Sequence, residues 1–411
     1  MTEAEVWLDD PRLAERLLIG RLFRSLNKGG EAVRFEYSEA WLRHPHSFQI
    51  DPEAQLDAGP QYAAAGAHEL FGVFSDCSPD RWGKLLMDRR EAIEAREQGR
   101  RPRALRAWDY LVGVDDTARM GAMRLADAQT HHFVANHPLS APPMTALREL
   151  EAAAIQVEHG QGAQVDKWVR QLLAPGVTLG GARPKASFVD ERGDLWLAKF
   201  PSADDRHDVG LWEFLAHELA VAAGINMPAA QILELSRHGH TFAVRRFDRV
   251  DGHRVMYASA RTLLQMDSEA ASYLDLVQAI ESHGAQGRIA ADLEQMFRRA
   301  VFNVLVGNRD DHLRNHGFLR EKTGWHLSPA FDVNPNPDKD VHVLTLDGHE
   351  GTPDTRLLLQ NREFFRLSGD RAPQILEEVR TAARSWERRA VAIGINRAEI
   401  GMLGAVIDPD R

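Results

Sequence analysis

The sequence predicts an α+β fold: a mixed α/β N-terminal domain, then a small strand-rich lobe, then a mainly helical C-terminal lobe. Three observations predict it. Residues 33–50 (VRFEYSEAWLRHPHSFQI) carry short alternating apolar segments, the period of strands. Residues 178–247 hold two hairpin patterns, ASFVD–ERGD–LWLAKF and QILEL–SRHG–HTFAVRRF, on either side of a helical one. Beyond them apolar residues recur mostly at helical spacing, up to a long segment at about 371–395 with Pro373 near its start.

The elements follow in order. DCSPDRWGKLLMDRR (76–90) predicts a helix capped by Ser78, with Pro79 at its first position. ANHPLSAPPMT (135–145) has three prolines in eleven residues and marks a boundary. The expected domains are therefore 1–140, a small lobe at 141–250 and a helical lobe at 251–411. Residues 145–173 read as helical, through Leu147, Leu150, Ala154, Val169 and Leu172. TLGGARPK (178–185) reads as a loop. VGLWEFLAHELAVAAG is a helix that stops at Gly224, with Pro228 beyond it. A further helix buries Ala300, Val301, Val304 and Leu305 and ends at Gly307.

Composition excludes several classes. With 411 residues, 44% hydrophobic and 27% charged, the chain can bury a sizeable core and is not disordered. A net charge of -10 argues against a surface that holds nucleic acid or anionic lipid unaided. Cys77 is the only cysteine, so neither a disulfide framework nor a zinc cluster is available, and its expected place is the core. The acidic N-terminus lacks the layout of a signal peptide, and no stretch reaches the roughly eighteen apolar residues of a membrane span. A soluble cytoplasmic protein is expected.

The densest chemistry lies in VGNRDDHLRNHG (306–317), with two aspartates, two histidines, two arginines and two asparagines in twelve positions. Two-lobed nucleotide-binding kinases share the order of lobes, and phosphoryl transfer is largely positioning and charge neutralisation. Gly180 and Gly181 would let backbone N–H groups approach phosphate, with Lys185 adding charge, although the loop is no Walker A motif. Lys199, inside the apolar run LWLAKF, must snorkel or find a counter-charge, which Glu213 could supply. Asp310 and Asn315 stand at the D-x-x-x-x-N interval of a catalytic base and a magnesium ligand, and Asp332 follows in SPAFDVNP. Hard oxygen ligands of this kind suit magnesium. Bland readings stand beside these: a plain turn at the glycines, a solvated Glu213, and a loop with only structural hydrogen bonds. Asp311 and His312 could also form a metal-hydrolase centre with His342 or His349, although no HExxH is present.

GGARPK, LAKF, AVRRFDR, NRDDHLRN and AFDV together resemble the HipA family, bacterial toxin serine/threonine kinases of type II toxin–antitoxin pairs. DCSPDRWG resembles a family signature in the N-terminal half. The resemblance implies a two-lobed protein-kinase-like fold that uses ATP and Mg2+. It implies that Gly180, Gly181, Ala182, Arg183 and Lys185 cover the nucleotide phosphates and that Lys199 contacts them. Arg245 and Phe247 fall on the hinge that meets adenine, with Asp248 close by. Asp310 is the implied base, Asn315 and Asp332 hold magnesium, and His312 stands where protein kinases usually carry a phosphate-binding lysine. Two positions depart from relatives: Thr178 replaces a serine that some of them autophosphorylate, and Arg245 replaces an acidic residue. The implied partners are a small helix-turn-helix antitoxin (HipB-like), through which DNA is bound, and a protein substrate such as an aminoacyl-tRNA synthetase, whose phosphorylation blocks growth. Two other classes stay open, a small-molecule phosphotransferase of related fold and a non-catalytic co-repressor module.

Overall fold

Ala4, Val6 and Leu8 in one segment, and Val33, Phe35 and Tyr37 in another, sit at alternate positions and are all buried, the pattern of strands with one face on a core. The structure, a computed structural model, describes all residues except 28–29, 64–68, 136–140, 160–166, 168, 171, 173–180 and 182, and of 27 and 159 only the backbone. Strands β1 (Glu3–Leu8), β2 (Leu17–Asn27), β3 (Gly30–Tyr37), β4 (Gln61–Tyr62) and β5 (Met123–Asp127) form an antiparallel sheet in the order β4-β3-β2-β1-β5. Phe35, Phe71, Phe74, Trp41, Trp82 and Trp108 fill its core.

The helix expected after residue 76 runs from Arg81 to Glu97, and its cap is Asp80, whose carboxylate accepts the Gly83 N–H at 2.8 Å. Ser78 is not the cap. Its hydroxyl is already committed to Phe74 O at 3.0 Å, closing the short helix Gly72–Asp76 before it. The helix expected over 145–173 is seen as Leu147–His159, and much of the remainder lies outside the described residues. The first hairpin is as expected, with β6 (Lys185–Val189) antiparallel to β7 (Leu195–Lys199).

The chain divides into two compact units, Met1–Asp204 with Asp248–Ala258, and Asp205–Phe247 with Ser259–Arg411. The breaks differ from the expected 140 and 250 because polar contacts tie later segments to the N-terminal sheet and its helices. Arg89 donates to Val157 O. Asp248 accepts the Gly121 N–H at 2.7 Å, Arg249 donates to Thr117 O and Arg119 O at 2.9 and 2.8 Å, and Asp10 accepts the Met256 N–H at 2.9 Å.

The second unit is built around the helix Ile289–Val306, with Leu293, Met296, Phe297, Ala300, Val301, Val304 and Leu305 buried. It also holds the helix Val209–Ala222, followed by Gly224 at φ 75, and a second expected hairpin, β8 (Ala230–Ser236) with β9 (Gly239–Arg245). The long C-terminal helix is two helices, Arg371–Ala383 and Trp386–Ala392. Ser385 breaks it by donating to Ala382 O at 2.7 Å, a local bond that competes with helix continuation. The restart brings Trp386 to 6.4 Å from Trp212, ring centre to ring centre. Cys77 is buried, as expected. Among the described residues no helix is long and apolar enough to cross a membrane.

Candidate active site

Gly307 ends the helix Ile289–Val306 at φ 70, ψ 30, the left-handed region that favours glycine. A Cβ there would lie 2.6 Å from Val406 O, so the position requires glycine on two grounds. The chain then turns directly into the predicted catalytic loop. Asp310 and Asp311, adjacent in sequence, meet opposite environments. The Asp310 side chain is 54% exposed and pairs with Lys339 Nζ at 2.9 Å. Asp311 is buried and accepts from Tyr273 Oη at 2.6 Å and Asn303 Nδ2 at 3.0 Å, with His316 Nε2 at 2.8 Å. Burial alone would raise the Asp311 carboxyl, yet His316 and the Tyr273 hydroxyl hold it below its ordinary value. Burial beside that carboxylate pushes the Tyr273 hydroxyl well above its own.

This cluster braces the loop at both ends, because Asn303 lies in the helix before it and His316 after it. Asn303 Oδ1 also accepts from Asn308 Nδ2 at 3.1 Å. Outside it, segment 336–343 is bonded along the loop: Asn336 N to Gly307 O at 2.9 Å, Arg309 Nη1 to Lys339 O at 2.5 Å, and Val343 N to Arg309 O at 3.1 Å. The readable signal for the brace was Asn303 itself, an amide inside the apolar run AVFNVLV that had to find partners. Tyr273, His316 and Lys339 gave no such signal.

His312 opens the 3-10 turn Leu313–Asn315, where its carbonyl accepts the Asn315 N–H at 2.8 Å. Asp332 is held at φ 58, an uncommon conformation for a residue with a side chain and one found at functional sites. Phe331, just before it, packs on Phe247 with ring centres 5.3 Å apart, so the AFDV and AVRRFDR motifs meet. Arg245 is exposed at the end of β9. Glu213 is buried, which overturns the solvated-face reading. The oxygen-bearing side chains of Asn315 and Asp332 suit a hard cation. Two residues beyond Asp332, Asn334 Oδ1 is buried and has no hydrogen-bond partner among the described residues. The alternative metal-hydrolase centre is not assembled. Among the described residues no group of three or more His, Cys, Asp and Glu is placed to hold a metal, and Asp311 is already engaged by three side chains.

In the first unit, Lys185 is the first residue of β6 rather than a loop residue, and it lies opposite Lys199 in the β6–β7 register. It is buried and bonded to Asp80 Oδ2 at 2.6 Å. Gly181 has φ 108, and Arg183 donates to Phe200 O at 3.0 Å. Asp248 is fully buried and, besides the Gly121 N–H, accepts from Arg249 Nη1 at 2.7 Å. Gly180, Ala182 and Thr178 lie outside the described residues.

Comparison with known proteins gives the family and the fold. The family model described as the HipA-like C-terminal domain matches residues 177–386, and that of the HipA N-terminal domain matches 5–105. "Putative kinase Y4dM" of Sinorhizobium fredii is 27% identical over 159 residues, covering 34% of this chain and 37% of that protein. The serine/threonine-protein kinase toxin HipA of Shewanella oneidensis is 24% identical over 263 residues, 55% of this chain and 59% of that protein. The matches thus span about a third and about three fifths of these relatives' own lengths. A solved complex of Shewanella oneidensis HipA, HipB and operator DNA contains a chain that matches with a TM-score of 0.65 at 17% identity, covering 98% of this chain and 94% of that one. The fold is the two-lobed, kinase-like α+β fold of that structure. Since the C-terminal family model alone spans just over half of the sequence, and the N-terminal one precedes it in order, the chain belongs to the HipA family.

Proposed function

We propose that the protein is an ATP-dependent serine/threonine protein kinase, the toxin of a toxin–antitoxin pair, with Asp310 as the base for the acceptor hydroxyl. The observation that carries this reading is the division of labour in the Asp310–Asp311 pair. One carboxylate is exposed, and its neighbour anchors the loop in a buried cluster. A base that must meet a protein hydroxyl needs solvent access and a fixed backbone together. Asn315, five residues on, and Asp332, in its left-handed conformation, supply oxygen ligands of the kind that Mg2+ with ATP requires. Bound there, magnesium would neutralise charge on the phosphates.

The chain's own residues divide the remaining work. Asp310 gives up Lys339 to accept the proton of the hydroxyl. An exposed ion pair of this kind is worth only about 0–1 kcal/mol, so the exchange costs little. Lys199 and the glycine loop meet the phosphates. Phe247, backed by Phe331, lies beside adenine, Arg245 stands on the same hinge, and His312 faces the transferred group. A HipB-like helix-turn-helix antitoxin would carry the DNA contacts, in keeping with the chain's net charge of -10. A protein of the translation apparatus, such as an aminoacyl-tRNA synthetase, is the proposed substrate. Phosphate on Thr178 would add about -1.5 to -2 charge beside the nucleotide phosphates and switch the kinase off.

Incubating the protein with labelled ATP, Mg2+ and a cell lysate tests the activity. Label on serine or threonine of a discrete protein is expected; label confined to small molecules, or none, would exclude a protein kinase.

A further inference from the structure

Asp80 and Lys185 form an ion pair at 2.6 Å with side chains only 4% and 1% exposed, joining the N-terminal DCSPDRWG segment to the end of the GGARPK loop. Removing two charges from water is costly and rarely repaid in stability alone, so such a pair calls for a role. The surroundings suggest one. Lys185 lies directly opposite Lys199 in the β6–β7 register, and like charges facing each other across a strand pair are unfavourable. A carboxylate fixed beside Lys185 removes that conflict and fixes where its ammonium sits. Asp80 is itself rigid, since as the cap of the helix Arg81–Glu97 it also accepts the Gly83 N–H at 2.8 Å.

The same ammonium also abuts Gly181. A Cβ built on Gly181 would lie 3.3 Å from Lys185 Nζ, and Gly181 has φ 108, a conformation that side chains disfavour. Gly181 therefore rests against a cation whose position is set by Asp80. The chain of contacts runs from the helix start through Asp80 and Lys185 to Gly181.

We infer that Asp80 is a positioning residue for nucleotide binding: through Lys185 it sets the glycine loop, so that recognition of the nucleotide phosphates depends on the N-terminal domain. This rests on the reading that the glycine loop meets those phosphates. Lys185 then acts through Gly181, with part of its charge answered by Asp80.

The test is calorimetric titration of the full chain with Mg2+-ATP, Mg2+-ADP and adenosine. Asp80→Asn keeps a capping side chain but removes the charge. It should weaken ATP and ADP by about tenfold, the worth of one charge-assisted hydrogen bond, and leave adenosine unchanged. An unpaired buried ammonium can also unfold the protein, so the double variant Asp80→Asn/Lys185→Gln, which buries no charge, is measured beside it with a thermal melt. It should fold, show the same loss for ATP and ADP, and again spare adenosine. A general loss of structure would instead weaken all three ligands. Wild-type ATP affinity in the double variant, or equal weakening of ATP and adenosine, would overturn the inference. If the wild-type chain binds no ATP, the kinase reading fails first and takes the inference with it.

Discussion

Asp311, which contacts no substrate in this account, is expected to matter nearly as much as Asp310, because its carboxylate joins Tyr273, Asn303 and His316. Asp311→Asn leaves the His316 ring nitrogen and the Tyr273 hydroxyl with a weaker, uncharged acceptor. Removing one member of a buried charged cluster costs about 3–5 kcal/mol, and the retained amide oxygen should bring the loss to the lower end of that range. Urea unfolding of the two proteins measures it, and a loss below about 1 kcal/mol would mean that the cluster is not a brace. Asp332→Ala should act on the ligand, abolishing the increase in ATP affinity expected from Mg2+ in the wild type. Titration with and without Mg2+ shows this, and an equal magnesium effect in both proteins would remove Asp332 from the ligand set. At this scale the sequence singled out Asp310, Asn315 and Asp332 by their spacing alone. It was opaque where two partners lie far apart: nothing local marks Asp80 as the partner of Lys185, 105 residues away.

Gly307 and the segment after Asp332 decide how the elements meet. Gly307→Ala would place a Cβ 2.6 Å from Val406 O on a left-handed backbone, so a loss of more than about 1 kcal/mol is expected. A melting temperature unchanged from wild type would contradict that. His342, buried in the segment that lines the catalytic loop, is depressed by burial from 6.5 to about 4. A histidine lowered in the folded state contributes stability that is fully present above its unfolded value and is lost as pH falls through the folded one. The window is therefore pH 6.5 down to about 4, with a loss on the order of 3 kcal/mol. His283 and His326, also lowered by burial, add to the same slope. His342→Leu should flatten it in denaturant titrations across that range, and an unchanged slope would refute the assignment. Hairpins and helix stops with glycine or turn residues were legible in the sequence, as at Gly224, Gly307 and the ERGD turn. The break at Ser385 was not, because it rests on a side-chain bond to Ala382 O within a sequence that would support a continuous helix.

For the whole molecule, the N-terminal half is more than an appendage. Segments on either side of residue 200 share one compact unit, and Asp10, Asp116 and Gly121 hold the stretch Asp248–Ala258 against the N-terminal sheet. The expected boundary near 140 came from proline content alone, whereas side-chain contacts between distant segments set the observed one. A kinase fragment cut at 141 would lose Asp80 and the Asp248 anchors together, and is expected to be poorly folded or unable to hold ATP. Limited proteolysis of that fragment beside the full chain would show the difference; equal resistance with equal ATP affinity would contradict the account. The claim on which the rest depends is that Asp310 takes the proton of the acceptor hydroxyl. The most direct measurement is the rate of phosphate transfer from Mg2+-ATP by wild-type protein and by Asp310→Asn, with ATP affinity measured on the same preparations. A fall of at least about 10²–10⁴-fold in rate is expected, with affinity changed only a few-fold. Transfer at near wild-type rate by the variant would contradict it.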